Sequence, residues 1–173
     1  MSGYLIRLLA LLALIFTGCA GAEGVWPAIL VYHRFGETAV DSMTVRVRAF
    51  EAQLDWLAAN GYQVIPLERL VAAIEKGGRL PERSIVITVD DGHRSVLTGM
   101  LPRVRRDRIP VTLFIYPSAI SNASYALSWS ELEELKRAGF SIASHTWWHP
   151  NFHQEKRRLD AEAYRELVRS QLV

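Results

Sequence analysis

Hydrophobic residues recur along this chain with two alternating spacings, which predict strands and helices in turn. Short apolar runs predict buried strands, and apolar residues spaced three or four positions apart predict amphipathic helices. The predicted strands cover residues 28–32, 62–65, 85–89, 111–116 and 140–144. The predicted helices cover residues 45–60, 67–76, 95–107, 128–138 and 154–172. Strands and helices therefore alternate five times along the chain, which is typical of βα units around a parallel sheet.

Two of the predicted helices carry local signals about their ends or their regularity. Ser128 is a predicted N-cap, and Glu131 three residues later completes a capping box. The helix at 95–107 is expected to be irregular around Gly99 and Pro102, because proline disrupts a helix interior.

The strand at 85–89 leads directly into two carboxylates, Asp90 and Asp91, followed by Gly92. All five of its residues are β-branched, as in strands covered on both faces of a parallel sheet. Burying two ionised carboxylates side by side costs free energy, and a bound cation would remove that cost. One acid could then ligate the metal while the other stays ionised as a base. An ordinary Asp-Gly turn with both acids in solvent is the alternative.

A second candidate cluster follows the strand at 140–144, where His145 is followed four residues later by His149. If the chain makes one helical turn there, both imidazoles point the same way. Two histidines plus one carboxylate, with one position left open, form a catalytic zinc pattern. A pair of surface or stacked histidines beside Trp147 and Trp148 is the alternative.

Four candidate residues fall at the carboxyl ends of predicted strands: His33, Asp90, Asp91 and His145. In βα barrels the chemistry lies at this end of the strands. The alternation of elements is therefore an independent reason to group these side chains. For His33, a hydrogen-bonded core histidine is an equal alternative.

At these residues the chain resembles the polysaccharide deacetylases, also called the NodB-homology domain or carbohydrate esterase family four. Residues 88–92, TVDDG, are similar to the first motif of that family, and residues 145–149, HTWWH, to its second motif, H-[ST]-x-x-H. The resemblance covers residues 27–173. Residues 30–35 and 111–117 look most like poly-N-acetylglucosamine deacetylase-like members. The resemblance implies a distorted (β/α) barrel, usually of seven strands, of which about five βα units are accounted for here.

The resemblance assigns Asp90 as the catalytic base and Asp91, His145 and His149 as metal ligands. It implies hydrolysis of N-acetyl groups from an extracellular or cell-wall polysaccharide that is poly-N-acetylglucosamine-like, chitin-like or a peptidoglycan glycan. The metal would polarise the acetyl carbonyl and activate a water, and Asp90 would take the proton of that water. One divalent ion is expected. Zinc is the first choice for this donor set, and cobalt, nickel, manganese and iron are alternatives.

The substrate-binding candidates are His33 and three tryptophans. Trp129, Trp147 and Trp148 can stack on sugar rings, and a packing role is the alternative for each of them.

Charge argues against nucleic acid as a partner. The net charge is only +2, from 20 basic and 18 acidic residues, whereas nucleic-acid binding calls for a strong basic bias. The basic run at 103–108 is interpreted as a solvated helix face rather than an anion site.

The first 22 residues are predicted to be an export signal peptide, and the deacetylase domain is placed at 27–173. Arg7 precedes an apolar segment at 8–16 that is too short to span a bilayer. Cleavage before Cys19 would give a lipid-anchored lipoprotein, and cleavage after Ala22 would give a protein without an anchor. Both routes place the protein in the periplasm or cell envelope. Cys19 is the only cysteine, so disulfides are not expected to contribute.

The family's later motifs have no counterpart that we find in this sequence. They are an Arg-x-Pro-Tyr-like segment, a tryptophan-containing segment and a Leu-x-x-His segment that supplies the general acid. We therefore expect a deacetylase domain that is incomplete on its C-terminal side. Two other functions stay open: a non-catalytic glycan-binding or assembly module, and another metal hydrolase on a βα barrel.

Overall fold

The computed structural model describes residues 26–172. The predicted signal peptide, with Cys19 and the cleavage position after Ala22, lies outside these residues. Across 26–172, every helix falls short of the length and apolar character needed to cross a membrane.

Strands and helices alternate as the hydrophobic pattern predicts. The strands are β1 (Ala28–Tyr32), β2 (Arg34–Gly36), β3 (Thr44–Arg46), β4 (Gln63–Val64), β5 (Ser84–Val89), β6 (Val111–Ile115) and β7 (Phe140–Ser144). The helices are α1 (Val47–Ala59), α2 (Leu67–Lys76), α3 (Ser95–Gly99), α4 (Leu101–Asp107), α5 (Trp129–Arg137), α6 (Phe152–Arg158) and α7 (Ala161–Ser170).

The main sheet has five strands, all paired in parallel. Its path is β1-β5-β6-β7, and the short β4 pairs with the beginning of β5. The register runs from Ala28 opposite Ile85 to Tyr32 opposite Val89 between β1 and β5. Because the strands are parallel and in this register, their carboxyl ends meet at one edge of the sheet. Strands β2 and β3 form a separate small parallel pair.

The predicted fold class is confirmed: the described residues form an open βα sheet, consistent with part of a (β/α) barrel. Strands β1 and β7 lie at the two ends of the sheet path. Large apolar side chains are exposed on both of these edge strands, namely Ile29, Val31 and Ile142. Sheet edges of this kind are normally covered by another element or by a closing strand.

The core explains why β5 shows no polar alternation. All six of its residues are buried. Ile87 and Val89 belong to the main cluster with the α1 residues Phe50 and Leu54. On the other face Val86 packs with Ile65 and Leu70 of the β4–α2 segment. A strand covered on both faces has no position for a solvated side chain.

The local signals at Ser128 and Pro102 correspond to features of the structure. Glu131 N–H donates to Ser128 Oγ at 3.2 Å and Ser128 N–H donates to Glu131 Oε2 at 2.6 Å, so the predicted capping box is confirmed. The helix expected at 95–107 is divided into α3 and α4 at Met100.

Two predictions about the secondary structure were wrong. The helix expected at 154–172 is two helices, because the backbone is extended at Leu159 after α6 ends. Asp160 then caps α7 by accepting from the N–H groups of Glu162 and Ala163, each at 2.9 Å. Strands β2 and β3 were not predicted, and β3 takes in Val45, which had been assigned to the first helix. Three-residue strands carry too short a pattern to be recognised in a sequence.

The basic run at 103–108 contains ion pairs. Arg103 pairs with Asp55 of α1 at 2.7 Å and with Asp107 within α4. Arg105 pairs with Glu134 of α5 at 2.9 Å. The run thus joins α4 to the helices on either side of it.

The close approach of α3 to β2 generates a prediction about stability. A Cβ at Gly99 would lie 2.3 Å from Phe35 Cβ, an atom too close to the backbone to swing aside. We expect Gly99→Ala to lower the free energy of unfolding by about 1–3 kcal/mol, as overpacked core positions do. Urea denaturation of the two proteins measures this difference.

Gly78→Ala is the matched control for this experiment. A Cβ there meets Ala73 Cα at 3.4 Å, an ordinary contact, so its unfolding midpoint should stay close to that of the original protein. Equal midpoints for the two variants would contradict the predicted overlap.

Candidate active site

The first part of the site is the turn that follows β5. Asp90 N–H donates to Tyr32 O at 2.9 Å, which extends the pairing of β1 and β5 by one residue. Asp91 and Gly92 then both adopt the left-handed conformation, with φ of 73° and 67°. Aspartate tolerates this conformation better than most residues. A Cβ at Gly92 would in addition lie 3.1 Å from Ile115 Cγ2, a tight contact, so both backbone conformation and space favour glycine there.

The second part is the segment that follows β7. His145 N–H donates to Ile115 O at 2.7 Å, which holds the first histidine at the end of β6. The chain does not make a helical turn between the histidines, because Thr146 and His149 are left-handed, with φ of 70° and 58°. His149 N–H donates to Thr146 Oγ1 at 3.1 Å. This irregular turn, rather than a helical one, brings the two imidazoles side by side, with ring centroids 4.6 Å apart.

The two parts bring Asp91, His145 and His149 together. Asp91 Oδ1 lies 3.7 Å from His145 Nε2 and 3.8 Å from His149 Nε2, and the candidate ligand atoms of all three residues lie within 4.8 Å of one another. Tetrahedral zinc with bonds of about 2.0–2.1 Å separates its ligand atoms by about 3.3 Å, so only small side-chain shifts are needed. The three residues therefore fit a divalent cation. Each is at least partly exposed to solvent, and three protein ligands leave a fourth tetrahedral position for water or substrate, as in catalytic zinc sites.

Asp90 and His33 lie beside this cluster. The side chain of Asp90 is only 19% exposed, and its Oδ2 lies 3.9 Å from His33 Nε2. Burial raises the pKa of Asp90 above its ordinary value, and the charge of Asp91 acts in the same direction. The imidazoles of His145 and His33 partly oppose that effect. A partly buried carboxylate with a raised pKa next to candidate ligands is the environment expected of a general base.

The three candidate tryptophans lie in two different places. Trp147 and Trp148 lie between the two histidines in sequence, are 46% and 44% exposed, and line a shallow apolar pocket with Ser170 and Gln171. Trp129 is exposed in a groove between α5 and β7. The substrate-binding role of all three stays a prediction.

Tyr116, whose ring lies beside that of His149, and its hydrogen-bond partner Tyr125 were not predicted from the sequence. The ring centroid of Tyr116 lies 5.4 Å from that of His149. The hydroxyl of Tyr116 is hydrogen-bonded to that of Tyr125, which stacks on His93 at 6.0 Å. Burial, then this hydrogen bond, raises the pKa of Tyr116, so its phenol stays protonated. Tyr116 directly follows β6, and the strand-end rule could have found it, whereas Tyr125 lies in a loop without any such signal.

Sequence analysis also missed Ser118 and Gln171, which contact the segment between the histidines. Ser118 N–H donates to Trp147 O at 3.1 Å, and Gln171 Oε1 accepts from Trp148 N–H at 3.0 Å. Both contacts are long-range, and no local sequence pattern reveals them.

Comparison with curated proteins yields relatives with a common activity. The chain is 29% identical over 147 residues to the poly-beta-1,6-N-acetyl-D-glucosamine N-deacetylase of Escherichia coli (strain K12), covering 73% of this chain and 22% of that protein. It is 27% identical over 116 residues to the enzyme of the same name from Staphylococcus epidermidis, covering 64% and 40%. The chain thus spans between about a fifth and two fifths of the length of these relatives.

Comparison with solved structures gives the same fold. A deacetylase of Streptococcus pyogenes in complex with acetate superposes with a TM-score of 0.68 at 21% identity, covering 86% of this chain and 70% of that one. The IcaB protein of Ammonifex degensii superposes with a TM-score of 0.63 at 22% identity, covering 79% and 56%. At these identities the comparison establishes the fold alone.

The family model described as polysaccharide deacetylase matches residues 77–173, which is more than half of the chain. The matched segment contains Asp90, Asp91, His145 and His149, the residues on which the resemblance was based. This chain belongs to the polysaccharide deacetylase family.

Proposed function

We propose that this domain hydrolyses N-acetyl groups of an exported polysaccharide with the help of one divalent cation. Asp91, His145 and His149 hold the cation, and Asp90 is the general base. The observation that carries the proposal is the approach of Asp91 Oδ1 to both imidazole Nε2 atoms, at 3.7 and 3.8 Å, from segments far apart in the chain. Family membership supports the same chemistry.

The reaction is demanding because an N-acetyl amide is a poor electrophile with a poor leaving group. A bound divalent cation supplies Lewis-acid chemistry, which polarises the acetyl carbonyl and acidifies a coordinated water. Asp90 accepts the proton of the attacking water, whose oxygen adds to the acetyl carbon. The C–N bond then breaks, and the proton that Asp90 accepted passes to the leaving nitrogen, so the products are a free amine and acetic acid, which ionises to acetate. His33 Nε2, at 3.9 Å from Asp90 Oδ2, is placed to orient the base.

Zinc is the cation that we propose first. Two imidazole nitrogens and one carboxylate oxygen with an open fourth position are typical of catalytic zinc. Cobalt, nickel, manganese and iron are also compatible with this donor set.

The substrate that we propose is a glycan of N-acetylglucosamine, as the names of two of the relatives state for those proteins. The exposed rings of Trp147 and Trp148 adjoin the histidines and offer apolar faces on which sugar rings can stack. Trp129, in its separate groove, is a candidate for a more distant sugar. A glycan of this kind is met outside the cytoplasm, in keeping with the proposed export signal at residues 1–22 and the proposed lipid anchor at Cys19.

The first experiment measures acetate release from a β-1,6-linked N-acetylglucosamine oligomer by the full chain, with added Zn²⁺ and with a chelator. We expect release with Zn²⁺ and loss of release with the chelator, because the cation provides the Lewis acid. Chitin oligomers and peptidoglycan are assayed in parallel to define the glycan. Saturable glycan binding without acetate release would favour the binding module, and phosphatase activity would favour a different hydrolase.

Removal of either imidazole should weaken metal binding. We expect His145→Ala and His149→Ala each to lower the affinity for Zn²⁺ at least about a hundredfold, because a ligand atom is lost. Competition with a chromogenic chelator measures the affinity. His153→Ala is the control, because His153 is exposed on α6. Equal affinities in all three variants would place the metal elsewhere.

Asp90 should be separable from the ligands by substitution. We expect Asp90→Asn to reduce kcat about a thousandfold, since the general base is lost, while Zn²⁺ affinity stays within a few fold. Asp55→Asn, an exposed acid paired with Arg103, is the control for a general effect of charge. If Asp90→Asn also empties the metal site, the roles assigned to Asp90 and Asp91 are wrong.

A further inference from the structure

Gln171 has an unusual position for an amide side chain. It directly follows α7 and is only 1% exposed, the lowest value among the buried polar residues of the described chain. Its Oε1 accepts from Trp148 N–H at 3.0 Å, and its Nε2 donates to Ser170 Oγ at 3.2 Å. Trp148 N–H belongs to the Trp147–Trp148 peptide, one residue before His149, so this hydrogen bond reaches the segment that leads into a proposed metal ligand.

The segment from His145 to His149 needs contacts from outside to keep its shape. Thr146 and His149 are both left-handed, a conformation that is costly for residues other than glycine and persists where the surroundings enforce it. Within the segment, His149 N–H bonds to Thr146 Oγ1. The Trp147–Trp148 peptide group is held by distant partners at both ends, because Ser118 N–H donates to Trp147 O and Gln171 Oε1 accepts from Trp148 N–H.

Hydrophobic packing alone does not explain how the end of α7 is held against this segment. None of the side chains of α6 or α7 is fully buried. Gln171, just past the end of α7, is buried, and with Ser170 it lines the pocket formed with Trp147 and Trp148. A buried amide contributes its hydrogen bond with little competition from water, and a partner that loses this bond stays unsatisfied.

We propose that Gln171 is a positioning residue of the metal centre. Its amide oxygen fixes the Trp148 peptide, and the fixed peptide keeps the His149 imidazole facing His145 and Asp91. This inference rests on the proposed function, in that these three residues bind a cation. Groups that orient ligands in this way influence metal affinity strongly.

The test compares Gln171→Met with Gln171→Glu in the full chain. Methionine has a similar volume and lacks the acceptor, so we expect about tenfold weaker Co²⁺ binding and about tenfold faster exchange of the Trp148 amide hydrogen. Glutamate keeps an acceptor oxygen in either protonation state, so its affinity should stay within about threefold of that of the original protein. Co²⁺ affinity is read from the visible absorption spectrum, and amide exchange from NMR. Gln154→Met, on exposed α6, should change neither quantity.

The outcomes separate this inference from the proposed function. If the original protein binds Co²⁺ in a manner that depends on His145, and Gln171→Met binds it equally well with unchanged Trp148 exchange, the positioning role is wrong. If Gln171→Met does not fold, Gln171→Glu decides between the outcomes. A folded Gln171→Glu that binds Co²⁺ tenfold more weakly overturns the positioning role. A folded Gln171→Glu with near-normal Co²⁺ affinity supports it. If the original protein binds no Co²⁺, or binds it without need of His145, the proposed function fails and this inference fails with it.

Discussion

The parallel pairing of β1, β5, β6 and β7 is the constraint on which the site depends. Their registers align the carboxyl ends of four strands whose sequences are far apart. His33, Asp90, Tyr116 and His145 each directly follow one of these strands. Backbone hydrogen bonds extend the alignment past the strand ends, from Asp90 N–H to Tyr32 O and from His145 N–H to Ile115 O. The site is therefore built at the edge of a buried sheet, and the rigidity of that sheet limits how far its side chains can separate.

Residues with left-handed backbone conformation shape the turns that follow the strands. Successive side chains of an extended strand alternate between the two faces of the sheet, so neighbouring residues past a strand end would not face the same way. Asp91, Thr146 and His149 all have positive φ, and the resulting turns direct a carboxylate and two imidazoles into the same space. Such conformations cluster where a fold enforces a functional geometry. The segment that contains Thr146 and His149 is hydrogen-bonded at its Trp147–Trp148 peptide to Ser118 and Gln171, which belong to other parts of the fold.

Patterns within a few residues of sequence predicted most of the fold. Strands β1 and β7 and helix α2 have the bounds that hydrophobic spacing indicates, and the capping box at Ser128 marks the start of α5. The strand-end rule grouped His33, Asp90, Asp91 and His145, and the spacing of the two histidines added His149. The roles of these residues came from family resemblance. Features that depend on distant contacts were not predictable. The segment between the histidines is hydrogen-bonded to Ser118 and Gln171, and β3 is paired with β2. Asp160 is a preferred type of N-cap residue and so was a local signal for the start of α7. The charged sequence on both sides of it has helical character, and one continuous helix was predicted instead.

The pKa of Asp90 is subject to opposing influences from different elements of the fold. Burial beside β5 and the adjacent charge of Asp91 raise its pKa and so increase its affinity for a proton. The imidazoles of His145 and His33, from two other strand ends, favour the ionised form. A cation held by Asp91 and the histidines would act in the same direction as these imidazoles, because positive charge stabilises a nearby carboxylate. The opposing influences come from different strands, so the balance at Asp90 depends on the same sheet alignment that assembles the ligands.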